Sequence, residues 1–379
     1  MKQTLLFVAF LSLVLSASSQ SFLSRLFASK SPVSATPVGN LPPQVEGTSS
    51  LFFLNGSLWT CNDHGALTLY SLDTSSATIA DSITLAPYIC DMEEVSQDDD
   101  YLYFGDMGDN NGVRNDLRIL RLSKSAIPNG PFLFDTIFFN YPERKEDNAR
   151  DFDCEAFVVT DSALLLFTKQ WNSLNTTCYS IPKLPGTWVA DSLLSLPVEG
   201  LVTGACFQPR RRLLVLSGYN SYCSPFVFMA YDFEGQSFHL GQHKRIPLSN
   251  GLGCQTEAIT TIDGLHYFLT CEKFDRLGIS YPSQLLTLDL SAQLGGYLSV
   301  TDITLDTDRV VVYPNPTSSR IHLPSSKIKR FDLVDMNGRV LMTGSDDEWI
   351  NLYQLPAATY LLHLTLKSGN TKTVTIQKR

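Results

Sequence analysis

From residue 45 to residue 290 the chain alternates short runs of Leu, Phe, Tyr and Val with polar, turn-forming stretches, and the runs recur in a fixed order. Five segments align as starts of a unit: Val45-Glu46-Gly47-Thr48, Met92-Glu93-Glu94-Val95, Cys154-Glu155-Ala156-Phe157, Thr203-Gly204-Ala205-Cys206 and Thr256-Glu257-Ala258-Ile259. Successive steps from Glu46 to Glu93, Glu155, Gly204 and Glu257 are 47, 62, 49 and 53 residues. A second run follows each start: Ser57–Cys61, Tyr101–Gly105, Ala163–Thr168, Arg212–Ser217 and Leu265–Thr270. Third runs are Leu67–Leu72, Leu117–Leu122, Thr177–Ile181, Phe226–Asp232 and Leu285–Leu290, and four units add a fourth that ends near proline. Runs of this length and make-up read as strands. Four strands repeated roughly every 50 residues predict an all-β fold, a β-propeller of about five four-stranded blades.

The fifth unit runs out of strands at Leu290, while an unassigned run, Thr36–Pro42, precedes the first unit. The N-terminal strand is therefore expected to complete the last blade and close the ring, leaving no open sheet edge. Two stacked sandwiches are the competing all-β reading, and the 93–155 interval has room for a sixth, degenerate blade. The glycine-rich Gly105-Asp106-Met107-Gly108-Asp109-Asn110, together with Asp153-Cys154-Glu155-Ala156, Val202-Thr203-Gly204-Ala205 and Thr256-Glu257-Ala258, resembles a family of secreted bacterial β-propeller proteins of unsettled activity. That likeness spans Glu46 to Leu290 and implies fold rather than function.

Residues 310–379 read as a separate β-sandwich of short strands divided by turn signals. Tyr313-Pro314-Asn315-Pro316-Thr317 opens it, Asp335-Met336-Asn337-Gly338-Arg339-Val340 marks a hairpin, and Leu355-Pro356-Ala357-Ala358-Thr359-Tyr360 precedes the last strands. With the closing Lys378-Arg379, these motifs resemble the C-terminal sorting domain of the Bacteroidota type IX secretion system, although Ala358 stands where that family usually carries Gly. The resemblance implies an outer-membrane translocon and a sortase-like protease as partners, and a destination outside a Gram-negative cell.

The start of the chain points the same way. Met1-Lys2, the apolar run Thr4–Leu15 and the small residues Ala17-Ser18-Ser19 make a secretory signal peptide over 1–19, too short for a membrane span. The expected order is then signal peptide, N-terminal linker 20–33, propeller 34–290, linker 291–309 and sandwich 310–379. Charge is unevenly divided: the net of −9 splits into about +4 from residue 310 onward and −13 before it. An acidic body argues against nucleic acid as a partner. All eight cysteines lie in the body, which in an exported chain points to disulfides. Nearest-neighbour pairing gives Cys61–Cys90, Cys154–Cys178, Cys206–Cys223 and Cys254–Cys271.

Candidate chemistry is concentrated at the unit starts. First strands line a propeller's channel, so Glu46, Glu93, Glu155 and Glu257 are expected to converge at one mouth, joined by Asp106, Asp109 and Lys169 from the ends of second strands. Gly204 interrupts the ring. Such a ring has three uses: a Ca²⁺ site, with Glu93, Glu155, Asp106 and Asp109 as ligands; paired carboxyls for glycan hydrolysis; or fastening of strands through backbone N–H groups. No G-x-S-x-G, H-E-x-x-H, Walker or dinucleotide motif is present, and no catalytic residue is assigned. A surface or released binding module for a glycan or protein is the leading expectation, with a glycan-directed hydrolase as the alternative.

Overall fold

A computed structural model describes residues 32–249, 254–276, 279–300, 310, 312, 314–323, 327–345 and 347–379. The signal peptide, most of the first linker, positions 301–309 of the second and Tyr313 lie outside the described residues.

The five units become five sheets. Blade 1 holds Phe52–Leu54, Ser57–Thr60, Gly65–Leu72 and Ile79–Ile89; blade 2 holds Met92–Gln97, Tyr101–Asp106, Arg118–Ser123 and Phe134–Asn140. Asp153–Val159, Ala163–Lys169, Thr176–Pro182 and Asp191–Leu196 form blade 3. Blade 4 is built from Leu201–Gln208, Leu213–Tyr219, Pro225–Tyr231 and Gln242–Pro247. Blade 5 takes Thr256–Thr261, His266–Cys271 and Gln284–Asp289, and its fourth strand is the N-terminal Thr36–Asn40, antiparallel to Gln284–Asp289 with Thr36 opposite Thr287. The long 93–155 interval holds no sixth blade among the described residues. It is spent on loops around blade 2, whose edge also receives Gly186–Val189 from blade 3 as a parallel strand.

Side-chain alternation explains why second strands read as unbroken apolar runs. In a strand, neighbouring residues face opposite sides. Leu164 and Leu166 pack toward blade 2, whereas Leu165 and Phe167 pack toward blade 4. Likewise Leu214 and Leu216 face blade 3, and Leu213 and Val215 face blade 5. Leu102 and Phe104 meet blade 1 through Phe52, Leu67 and Leu69. The last interface joins Leu58 and Leu72 of blade 1 to Ala258 and Leu285 of blade 5. Each of the five blade junctions thus has its own hydrophobic cluster, and the ring is closed.

Beyond blade 5, Ser291–Val300 is helical rather than an extended linker. Leu294 enters the core between blades 4 and 5, and the Tyr297 hydroxyl accepts from Asp232 N and donates to Arg211 O.

The tail packs a two-stranded sheet, Arg320–His322 with Trp349–Asn351, against a four-stranded one over the core of Ile321, Leu333, Leu362, Leu364 and Ile376. Its motifs are local fasteners. Asn315 bonds the last strand twice, donating to Thr375 O and accepting from Gln377 N; Asp335 Oδ1 accepts from Asn337 N and Arg339 N around Gly338, at φ 81°. The Tyr360 hydroxyl closes the Leu355-Pro356 corner on Pro356 O at 2.8 Å. Ala358 simply begins the strand Ala358–Leu366.

All eight cysteines stand as free thiols, and the four expected pairs fare differently. Cys61 is buried against Ser50 while Cys90 is exposed, and Cys154 and Cys178 belong to different blade junctions. Cys206 packs at the blade 4–5 core, far from the loop that carries Cys223 at φ 54°. Cys254 and Cys271 do share one core and touch as thiols.

Closure by Thr36–Asn40 is testable. A chain beginning at Gln44 loses this strand and Ala35, and exposes Gln284–Asp289 as a sheet edge. Its Tm should fall by on the order of ten degrees, with concentration-dependent aggregation. Calorimetry giving the Tm of the intact chain would show that the ring does not need the strand.

Candidate functional site

The first strands share a distortion that builds the site. In blade 2 the pairing shifts by one residue between Met92 and Glu94, in blade 3 between Cys154 and Ala156, in blade 4 between Val202 and Gly204, and in blade 5 between Thr256 and Ala258. A bulge of this kind leaves one residue unpaired and re-aims its side chain. The extra residues are Glu93, Glu155, Thr203 and Glu257. Blade 1 has the same excess, since Thr48 bridges Asn62 while Phe52 pairs with Trp59, and Ser49 takes the corresponding place.

This register corrects the expected ring at two positions. Glu46 is outside it, half-exposed after the turn Pro43–Val45 and paired with Lys273 at 3.1 Å. Blade 4 contributes Thr203, not Gly204. At Gly204 a Cβ would lie 2.9 Å from the Glu257 carbonyl, so glycine serves the close approach of blades 4 and 5.

Glu93, Glu155 and Glu257 do converge. With Ser49 they line a cavity of about 580 Å³ at the channel mouth, joined by Asp63, Asp91, Lys169, Tyr219 and Glu272. Asp63, Lys169, Tyr219 and Glu272 stand in equivalent places just where second strands end. Asp91, two residues before Glu93, and Glu272, which stands where its second strand ends as Lys169 does in its own blade, were within reach of the repeat spacing. Asp63, Tyr219 and Ser49 were missed, although position after the second strand would have found the first two. Below this layer Glu94 is enclosed, its carboxylate accepting from Val95 N and, across the channel, from Ala205 N.

Asp106 and Asp109 are elsewhere. Asp106 is buried, accepts from Cys90 N and Asp91 N, and is paired with Arg114 at 3.0 Å and Arg118 at 2.8 Å. Asp109 accepts from Val113 N and Arg114 N and binds Arg144 at 2.5 Å. Both carboxylates are consumed in holding the loop after Asp106, so the calcium quartet of Glu93, Glu155, Asp106 and Asp109 does not assemble. Among the described residues no group of three or more His, Cys, Asp or Glu is placed to hold a metal ion.

Six carboxyl groups line the cavity against one ammonium, Lys169. Lys169 Nζ lies 3.0 Å from Glu155 Oε1. Burial alone would lower its pKa, but Glu155, Tyr219 and Glu257 hold it well above the usual lysine range. Burial pushes Glu93 well above the carboxylate range, and Glu155 and Asp91 add to the push. Glu155 rises to about 8, mainly by burial and despite Lys169. Burial and Glu272 raise Glu257, and burial with Asp63 and Asp91 brings Glu272 to about 7. Trp171 is already engaged: its Nε1 donates to Asp153, and Arg150 and Lys169 lie 4.8 and 5.0 Å from its ring.

Comparison with known proteins decides the tail. Residues 311–378 match the family described as the secretion system C-terminal sorting domain. The tail is a type IX sorting domain. The protein is thereby directed to the outer surface of a Gram-negative cell or beyond, and its sorting domain engages the type IX machinery. No helix among the described residues is long and apolar enough to cross a membrane. No curated protein matches the chain. Among solved structures, the PQQ-bound aldose sugar dehydrogenase of Streptomyces coelicolor is similar at 11% identity and TM-score 0.41, over 68% of this chain and 98% of that one. An exo-β-1,3-galactanase of Clostridium thermocellum matches at 14% and 0.42, over 91% and 86%. The Cps50 β-propeller domain of Myceliophteria thermophila matches at 9% and 0.34, over 68% and 99%.

The raised carboxyls fix the sign of the pH response. The native mouth keeps protons that the unfolded chain gives up near pH 4.5, so the stability these two carboxyls contribute is full below that pH and is lost as pH rises through about 7 for Glu272 and about 8 for Glu155. Tm followed from pH 5 to 9 should fall, and Glu272→Gln should flatten the part of the fall below about pH 7. A variant curve parallel to the parent's would show that Glu272 ionises normally in the fold.

Proposed function

We propose that this protein is an exported binding module, delivered by its sorting tail and presenting a ligand site at the mouth of the propeller channel. The observation that carries this reading is the mouth cavity of about 580 Å³, into which buried polar groups face without full satisfaction. Ser49 Oγ has no hydrogen-bond partner, and Glu155 Oε1 has only its charge contact with Lys169. Buried polar atoms are rarely left so unless a ligand or water completes them. The site is built on strand ends rather than on loose loops, which favours a preformed pocket.

A thermal-shift screen of small polar compounds against the chain and against Glu93→Gln/Glu155→Gln tests this. At least one class should raise the parent's Tm by several degrees and leave the double variant unmoved. A parent that responds to nothing would remove the reading.

Hydrolysis is a second reading, favoured by one feature. Burial pushes Glu93 well above the usual carboxylate range, while Glu155, 3.0 Å from Lys169, is the carboxyl with an ammonium beside it to favour its ionised form, so the two environments differ in the sense an acid–base pair requires. Release of nitrophenol from aryl glycosides, lost in either single Gln variant, would support it; no release from a broad glycoside panel would end it.

The tail itself is expected to be transient, removed by a sortase-like protease in the linker before the sandwich. Mass spectrometry of the exported protein should find a mature chain starting near Gln20 and ending before Tyr313. Exported protein still carrying Arg379 would contradict this.

A further inference from the structure

The mouth is charged unevenly around its circumference. On blades 3 and 4 the chain supplies its own cation: Lys169 Nζ is 3.0 Å from Glu155 and 5.6 Å from the Tyr219 ring. On blades 1, 2 and 5 the same cavity is lined by Asp63, Asp91, Glu93 and Glu272, and among the described lining residues Lys169 is the one Lys or Arg. Other cations nearby lie outside the lining and are engaged, Arg150 with the Asn110 carbonyl and the Trp171 ring. Arg114 is spent on Asp106, Asp116 and the Gly108 carbonyl, and Lys273 on Glu46. His64 beside Asp63 is outside the cavity lining and largely exposed. On this acidic side Ser49 is only 4% exposed and its Oγ is unpartnered.

We propose that the acidic half of the mouth takes a primary ammonium group from an organic amine, held by Asp91, Glu93 and Glu272 with Ser49 as a further acceptor. This rests on the reading of the mouth as a ligand site. Three alternatives fit less well. A calcium ion wants six to eight oxygens at about 2.3–2.6 Å from one point, and no three acidic side chains among the described residues are close enough to ligate a metal ion, whereas the longer hydrogen bonds of an ammonium ask for a looser ring. A neutral sugar gains most from a free aromatic face, and the Trp171 ring already carries Arg150 and Lys169. An anion would meet a surplus of carboxylates. An ammonium, by contrast, brings three donors to a site rich in acceptors, and Lys169 shows within the same cavity how carboxylate and aromatic groups seat one. The cavity is far larger than an ammonium alone, so the group arrives on a body: a free polyamine, or a lysine side chain of a peptide.

Calorimetric titration of the whole chain at low ionic strength separates these sources and tests the class. The titrants are spermidine, a short neutral peptide amide with one lysine, calcium chloride and maltotriose. Spermidine or the peptide should bind at a single saturable site, weaken with added salt, and weaken about tenfold or more in Asp91→Asn and in Glu272→Gln. Which of the two binds identifies the source. Amine binding that both variants leave unchanged would mean diffuse attraction to an acidic body and would overturn the proposal. Calcium or maltotriose binding, sensitive to these variants while amines fail, would overturn the ammonium and leave the mouth standing as a site. No binding by any titrant would sink both.

Discussion

Everything in the body depends on one backbone pairing, the antiparallel fit of Thr36–Asn40 onto Gln284–Asp289. A propeller blade buries both faces against its neighbours, so a ring missing one strand leaves a sheet edge and a gap in its last blade. Here the gap is filled from the other end of the sequence. Leu41 N donates to Ser283 O, Val33 N donates to Pro247 O in blade 4, and Ala35 enters the blade 4–5 core. With the circle closed, every second strand is covered on both sides. The five first strands are then forced side by side around the channel.

That crowding is what turns a repeated bulge into chemistry. One extra residue per first strand aims Glu93, Glu155 and Glu257 at a shared space, and the ends of the second strands add Lys169 and Glu272. The cost of burying so many like charges is met unequally. Asp106, Asp109 and Asp153 are neutralised by arginines or by N–H donors and act as fasteners. Glu94 is satisfied by two backbone amides. The mouth has Lys169 as the one Lys or Arg among its described lining residues, and burial raises the pKa values of Asp91, Glu93, Glu155, Glu257 and Glu272. A group left in that condition responds to whatever cation or proton reaches it, which is why the mouth rather than the loop after Asp106 is the place to look for function.

How much of this was legible in the sequence follows from the range of each interaction. Runs such as Leu164–Phe167 announced two-sided burial directly, and the missing fourth strand after Leu290 pointed to Thr36–Pro42 by simple bookkeeping of strands. The glutamate ring was legible in three blades because the bulged residue is the same in each. It failed in blades 1 and 4, where residue identity guided the alignment to Glu46 and Gly204 while the backbone places Ser49 and Thr203. A one-residue bulge leaves no compositional mark when its side chain changes. Asp106 and Asp109 misled for another reason. A carboxylate offered to a ligand and one consumed by Arg114, Arg118 or Arg144 look alike until the loop is folded. Cysteine count is blind for a similar reason: parity says nothing about which blade junction a thiol enters, and of the four nearest-neighbour pairs Cys254 and Cys271 share one.

The two ends of the chain also divide their chemistry differently. In the sorting domain the side chains that make the motifs readable are turned inward on their own backbone: Asn315 on the last strand, Asp335 on its turn, Tyr360 on Pro356. They are legible because they keep one small sandwich in one shape, whatever cargo precedes it. The mouth residues obey the opposite logic. Glu93, Glu155, Glu257 and Glu272 are crowded at the mouth with Lys169 as the one ammonium among its described lining residues, and burial raises the pKa of each. On the binding reading proposed above, a fold that tolerates this cluster where all five blades contribute does so for a ligand of the cargo, not for its export.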